Sequence, residues 1–97
     1  MRKSLGEPIS VVYFFDAKHK RVKPYQLTWN NTDYRLGPVD FWHKTHVGGV
    51  LIHHFSLCDI NETIYFKLAL NTDNLHWELE ELMMVSDLHL EYGGQGL

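Results

Sequence analysis

The fold of this chain is decided by residues 50–70, VLIHHFSLCDINETIYFKLAL. Two apolar runs, 50–58 and 63–70, flank the short polar segment 59–62. In the second run, aliphatic and aromatic residues alternate with polar ones, which is the two-residue period of a half-buried strand. A connection this short joins antiparallel neighbours, so the stretch predicts a β-hairpin.

An apolar stretch near the start of the chain predicts the first strand. Residues 9–15 are β-branched or aromatic on both faces, so we expect a strand that is covered on both sides. A polar turn at 16–20 leads to a second strand over 22–29, in which apolar and polar residues alternate. Its predicted inward residues are Tyr25, Leu27 and Trp29.

The third predicted strand lies between two turn signals. The pair Asn30-Asn31 suits a two-residue hairpin turn, because asparagine tolerates the positive φ angles that such turns require. Gly37-Pro38 then shifts the apolar parity by one residue, as a β-bulge does. Gly48-Gly49 predicts a bend before the strand at 50–58.

The segment after residue 73 allows two interpretations. Leucine spacing and a possible cap at Thr72 or Asp73 indicate a helix over about 74–86. The alternation of Trp77 and Leu79 with polar neighbours indicates a strand over 75–82, which we favour. About six antiparallel strands then form an all-β domain, a small barrel or a strongly bent meander, whereas the helix would make the fold α+β.

Length and composition indicate a single domain. Ninety-seven residues are enough for one hydrophobic core, and one cysteine excludes an internal disulfide. We expect a flexible start at 1–8, a β domain over 9–91 and a flexible glycine-rich tail at 92–97. Because no apolar run is long enough to span a membrane and no signal peptide is recognisable, a cytoplasmic location is expected.

Histidine is the first residue type to test for chemistry, with seven in the chain. The weak candidates for metal ligands are His43, His46, His53 and His54. No cysteine or acidic pair supports them at a suitable spacing, so a metal-dependent enzyme is the least favoured function. Nucleophile and phosphate-loop motifs are also missing, so we predict no enzyme activity, no catalytic residue, no metal and no cofactor.

Charge is divided unevenly along the chain. Residues 1–48 hold eight basic and four acidic side chains, whereas residues 49–97 hold one basic and eight acidic ones. Cations interleaved with aromatic residues are typical of single-stranded nucleic-acid surfaces. The predicted set is Lys18, Lys20, Arg21, Lys23, Trp29, Arg35 and Trp42. The competing interpretation places the aromatic rings in the core and the cations at a solvated hairpin turn.

The favoured function is a non-catalytic binding or accessory module. It would act through a protein partner or as a homodimer, because residues 9–15 are apolar on both faces and suit strand pairing if the barrel is incomplete. Single-stranded nucleic-acid binding is the alternative.

Two segments also resemble a family of small, uncharacterised bacterial domains. The run KPYQLTWNNTDYRL at 23–36 is followed by Trp42, and IYFKL at 64–68 is followed by Trp-Glu-Leu at 77–79. In that family the turn after the first tryptophan usually carries Gly-Arg, whereas this chain has Asn30-Asn31. The resemblance implies an all-β, cytoplasmic bacterial domain and a strand at 75–82, and it brings no catalytic residues.

Overall fold

The computed structural model describes residues 2–88, with side chains from residue 5 to residue 87. Each strand pairs antiparallel with its neighbour in sequence, and the first closes against the sixth to form a barrel. The elements are β1 (Arg2–Asp16), β2 (Arg21–Trp29), β3 (Thr32–Val47), β4 (Val50–Asp59), β5 (Ile64–Asn71), β6 (Trp77–Met84) and α1 (Val85–Leu88). The predicted all-β barrel of six strands is therefore confirmed.

The segment that allowed two interpretations is a strand. Trp77 and Leu79 on β6 are both buried, and β6 pairs with both β5 and β1. The alternative helix over 74–86 is wrong, because only the four residues of α1 are helical. No helix within residues 2–88 is long and apolar enough to cross a membrane.

Of the two segments that were predicted to be flexible, only the first lies within the described residues. Residues 2–8, predicted as a flexible start, form the first half of β1 and pair with β6 from Arg2–Met83 to Ile9–Trp77. The predicted tail at 92–97 lies outside the described residues.

The core fills the barrel with inward side chains from five of the strands and from the partly buried side of β1. Its buried members are Leu27, Leu36, Phe55, Leu57, Phe66, Leu68, Leu70, Trp77 and Leu79. Full burial of a leucine or phenylalanine stabilises a fold by about 1.5–3 kcal/mol. The alternation that predicted the strands is thus the pattern that fills the barrel.

The turns follow the predicted chemistry. Asn30 and Asn31 have φ angles of 54° and 60°, which are the left-handed values of a two-residue hairpin turn. Gly48 and Gly49 join β3 to β4, also with positive φ. Register shifts between Leu36 and Phe41 confirm the predicted bulge near Gly37-Pro38.

The two long hairpins extend beyond the closed barrel. The β1–β6 ladder ends at Ile9–Trp77, and the β2–β3 ladder ends at Gln26–Arg35. Beyond these pairs, β1 and β2 continue together to the turn at residues 17–20. We call residues 12–24 the ribbon. Since β3 continues with β4 instead, the ribbon and the β3–β4 hairpin diverge.

Candidate functional site

A groove lies where β2 and β3 diverge. Its volume is about 330 Å³, and Arg21 and Lys23 of β2 line one side. Pro38, Phe41 and Trp42 of β3 line the other side. Cations therefore face aromatic rings and the carboxylate of Asp40 across an opening between two strands.

A β-bulge in β2 exposes an aromatic ring beside this groove. The β1–β2 ladder passes from Val12–Gln26 to Tyr13–Pro24, so Tyr25 has no partner in it. Pro24 is buried and the Tyr25 side chain is 50% exposed. The prediction that Tyr25 faces inward with Leu27 is wrong, because the extra residue reverses the parity of the strand. Pro24 is the sequence signal for the irregularity, since proline within a strand is found at edges and bulges.

Three cation–aromatic pairs stand at the groove or immediately beside it. They are Lys23 over Phe14, 5.6 Å from the ring centroid, Arg35 over Tyr25, 5.2 Å, and Lys44 over Trp42, 5.4 Å. Lys23 and Trp42 line the groove, and Arg35 belongs to the last paired position before the strands diverge. Each pair therefore holds a positive charge over an aromatic side chain that is at least 39% exposed.

Trp42 is held in place by a histidine. Its indole N–H donates to Nδ1 of His53 at 2.9 Å, and the two rings stack with an interplanar angle of 7°. Burial lowers the pKa of His53, and the nearby Lys44 and His54 lower it further. This favours the neutral imidazole, which is the form that can accept the bond at Nδ1. Trp42 is thereby fixed at the groove while its side chain remains 39% exposed.

The predicted nucleic-acid residues are divided between the groove and other places. Arg21, Lys23 and Trp42 line the groove, and Arg35 lies next to it. Lys18 and Lys20 are exposed in the turn of the ribbon. Trp29 does not belong to this group, because it packs against the core and its indole N–H donates to Glu7 at 3.2 Å.

Sequence reasoning missed four residues of this surface, namely Phe14, Tyr25, Phe41 and Lys44. Phe41 and Lys44 are close in sequence to the predicted Trp42, so proximity to a candidate tryptophan is the signal that could have found them. Phe14 and Tyr25 were expected to be covered, but Phe14 lies beyond the end of the β1–β6 ladder and Tyr25 lies at the bulge in β2.

Only two of the four candidate metal ligands are brought together. His43 and His54 stack at 4.6 Å between ring centroids, and His54 also bonds to Glu80 at 3.0 Å. His53 lies on the opposite face of β4 with Trp42, and His46 pairs with Leu51 near the β3–β4 turn. Within residues 2–88, no group of three or more His, Cys, Asp or Glu side chains is arranged to hold a metal ion.

Comparison with known proteins yields no match to this chain among protein families, curated proteins or solved structures. The resemblance to small bacterial β domains stays a prediction. Any functional conclusion must therefore come from the groove itself.

Proposed function

We propose that this protein is a non-catalytic binding module that holds single-stranded nucleic acid in the groove between β2 and β3. The observation that carries the proposal is an open groove lined by Arg21, Lys23 and Trp42, with cation–aromatic pairs at Lys23 and Trp42 and a third pair beside it at Arg35. Aromatic faces stack with bases, and cations beside them neutralise phosphates. Both groups are needed in alternation along a strand of nucleic acid.

Stacking of a base on an aromatic ring is more favourable than the cation–aromatic contact that it replaces. An exposed cation–aromatic contact contributes about 0.5–1 kcal/mol, whereas stacking of one base on an aromatic ring contributes about 1–3 kcal/mol. A base that stacks on Trp42 therefore gains more than the displaced Lys44 loses. The released ammonium is then free to bind a phosphate of the same strand. In this proposal the cation–aromatic pairs are the resting state of the surface.

The edges of the groove favour this ligand over an extended peptide. A peptide that adds as a strand needs a regular row of backbone N–H and C=O groups. Pro38 has no N–H to offer, and the register of β3 is irregular between Leu36 and Phe41. Recognition in this groove must therefore depend on side chains, which is how bases and phosphates are bound.

The distribution of charge is compatible with an anionic ligand despite the net charge of −3. Lys18 and Lys20 extend the basic side from the groove along the ribbon. Glu78, Glu80 and Glu81 belong to β6, and the β5–β6 pair lies across the barrel from the β2–β3 pair. These three glutamates are thus kept away from the groove, where, among the described residues, Asp40 is the one carboxylate that lines the opening beside Arg21 and Lys23.

Non-catalytic binding also agrees with the state of the single thiol. Burial raises the pKa of Cys58, and the nearby carboxylates Asp40, Asp59 and Glu62 raise it further. Since the thiolate is the reactive form of cysteine, this thiol is a poor nucleophile.

The test is a fluorescence titration with a mixed pool of single-stranded DNA oligonucleotides at low and moderate salt. Trp42 is the most exposed of the three tryptophans, so base stacking is expected to quench its emission. For single strands the slope of log affinity against log salt is about −0.7 per neutralised phosphate. Engagement of Arg21, Lys23, Arg35 and Lys44 would therefore give a slope of about −2.8.

Two substitutions separate stacking from charge. Trp42→Ala is expected to weaken binding by about 1–3 kcal/mol through the lost stack, with competition against a labelled oligonucleotide as the readout. Lys23→Gln is expected to reduce the salt slope by about 0.7. The matched control is Lys67→Gln, because Lys67 faces Glu81 at 3.7 Å on the opposite side of the barrel.

The titrations of the two lysine variants and the salt series distinguish three outcomes. Binding that responds to Lys23→Gln and not to Lys67→Gln supports the groove. Equal losses in both variants would mean that only total charge matters, and a titration that stays flat at both salt concentrations would rule out nucleic acid and leave a protein ligand for this surface.

A further inference from the structure

The β1 strand has a free edge, and no described residue of β1 lines the groove. Its ladder with β6 ends at Ile9–Trp77, so within the described chain no strand pairs with that side of residues 10–16. Val12, Tyr13, Phe14 and Phe15 are all exposed there, Phe15 to 60%. The prediction that this strand is covered on both sides is wrong, because the ribbon extends past the end of the barrel.

This free edge has none of the usual protection against strand pairing. Natural edge strands are blunted by proline, by lysine, by bulges or by a covering segment. Residues 10–15 contain no proline, glycine or charged residue, and the carboxylate of Asp16 at the end of the edge is hydrogen-bonded to Lys18 and His19 of its own turn. The bulge of the β1–β2 hairpin is at Tyr25, on β2. The edge of β3, by contrast, contains Pro38 and two register shifts. Strand addition is therefore favoured at β1 and opposed at β3.

We propose that the free edge of β1 binds the same edge of a second copy of this chain, antiparallel and about a two-fold axis near Tyr13. Residues 10–16 are symmetric about Tyr13, so this register uses the whole free edge of both copies. Val12 of one copy then stands opposite Phe14 of the other, on the same face of the sheet. The two ribbons form one four-stranded sheet in the order β2–β1–β1–β2.

Charge complementarity supports a second copy as the occupant. In this register the basic turn of one ribbon, with Lys18 and Lys20, lies alongside the β1–β6 end of the other copy. That end holds Glu7 on β1 and Glu78 on β6, where Glu78 pairs with Pro8. The two-fold axis repeats the contact at both ends of the sheet, so basic and acidic side chains meet between copies.

A cleft at the same end has room for the side chains of the second copy. It lies between β1 and the start of β6, has a volume of about 670 Å³, and is lined by Pro8, Ile9, Leu75 and Glu78, among others. Leu75 is 62% exposed there. A strand added to the free edge of β1 would cover this leucine, which nothing in the described chain covers.

The experiment is sedimentation velocity on the full chain across a wide concentration range, without nucleic acid. We expect a monomer–dimer equilibrium in the unsubstituted protein. Val12→Lys is expected to weaken the dimer at least about 10-fold, because lysine is a residue that natural edges use against pairing. The matched control is Val47→Lys, since Val47 is exposed to 62%, Val12 to 56%, and Val47 lies at the β3–β4 turn.

A charge exchange tests the register. Lys18→Glu alone and Glu78→Lys alone are each expected to weaken the dimer, and the double variant to restore it. Circular dichroism and thermal unfolding check that each variant is folded. A protein that stays monomeric throughout the range, or a dimer that is insensitive to Val12→Lys, would overturn the proposal. So would a charge pair whose two effects simply add. None of these outcomes depends on the groove.

Discussion

Replacement of Asp59 tests whether one buried carboxylate holds the β4–β5 connection. One oxygen, Oδ1, accepts the backbone N–H of Thr63 at 2.6 Å and that of Ile64 at 3.0 Å. The other, Oδ2, accepts the hydroxyl of Thr63 at 2.6 Å. Asp59 is only 7% exposed, so water cannot readily replace these donors. We expect Asp59→Ala and Asp59→Asn to destabilise the barrel by different amounts.

The magnitudes follow from the bonds that each variant loses. A hydrogen bond to a charged group contributes about 1.5–3 kcal/mol, and Thr63 is exposed, so its hydroxyl regains water when the carboxylate is removed. The two backbone bonds are then the main loss, and Asp59→Ala should lower the free energy of unfolding by about 3 kcal/mol. Asparagine keeps an acceptor for the backbone donors, so Asp59→Asn should cost about 1 kcal/mol.

The pH dependence gives an independent test of the same contact. Burial raises the pKa of Asp59, but the hydrogen bonds from Thr63 and Ile64 outweigh it and leave the pKa below its ordinary value. Because the folded state favours the charged form, this contribution is fully present above about pH 4. It is lost as the pH falls through the folded-state pKa. The difference in stability between the unsubstituted protein and Asp59→Asn should therefore shrink in acid.

The assay is urea unfolding of both proteins at a series of pH values. Asp73→Asn is the control, because it makes the same change in charge at an exposed position. Parallel pH curves for the unsubstituted protein and Asp59→Asn would refute the reasoning. So would an Asp59→Ala variant no less stable than the Asp73→Asn control.

Three further changes test other contacts. Because the pKa of His53 is lowered in the folded state, its contribution to stability is present above about pH 6.5 and declines as the pH falls below it. The Trp42 indole N–H resonance should shift over the same pH range, and an unchanged resonance would contradict the bond to His53. Trp77 Nε1 is buried without a hydrogen-bond partner in the described chain. In urea unfolding, Trp77→Phe should therefore lower the free energy of unfolding by less than about 1.5 kcal/mol and Trp77→Ala by about 3–5 kcal/mol. Similar losses for the two variants would contradict this. Asn31 has a φ of 60°, so Asn31→Ala should cost about 1 kcal/mol while Asn31→Gly is tolerated, and thermal unfolding that ranks alanine first would disprove the turn.

The barrel itself could be predicted because its signals are local. The alternation at 64–70 indicates which side chains of β5 face inward, and Asn30-Asn31 indicates where the chain reverses. Even the ambiguous segment was decided correctly by the period of Trp77 and Leu79. Each of these patterns acts within a few residues, so each can be recognised without knowledge of the neighbouring strands.

The candidate site could be predicted only in part because it depends on where ladders end. Residues 9–15 look like a strand that is buried on both faces, but a barrel strand buries only its inward face and needs a neighbour on each edge to do so. Instead β6 begins at Trp77, opposite Ile9, and leaves Val12 to Phe15 exposed. The bulge at Tyr25 also depends on more than one strand, because it is a shift in the pairing of β2 with β1. Neither property is present in a single stretch of sequence.

The two proposed surfaces lie on opposite edges of one ribbon, and this has a consequence for binding. The groove lies beside β2, whereas the free edge belongs to β1, so pairing of two β1 edges leaves both grooves open. A strand of nucleic acid long enough to reach both grooves would bind them together, and its second contact would form at a high effective concentration. A strand too short to span them gains nothing from the dimer. Val12→Lys should therefore weaken binding of long oligonucleotides and leave the affinity for short ones unchanged, since it removes the pairing of copies and not the groove.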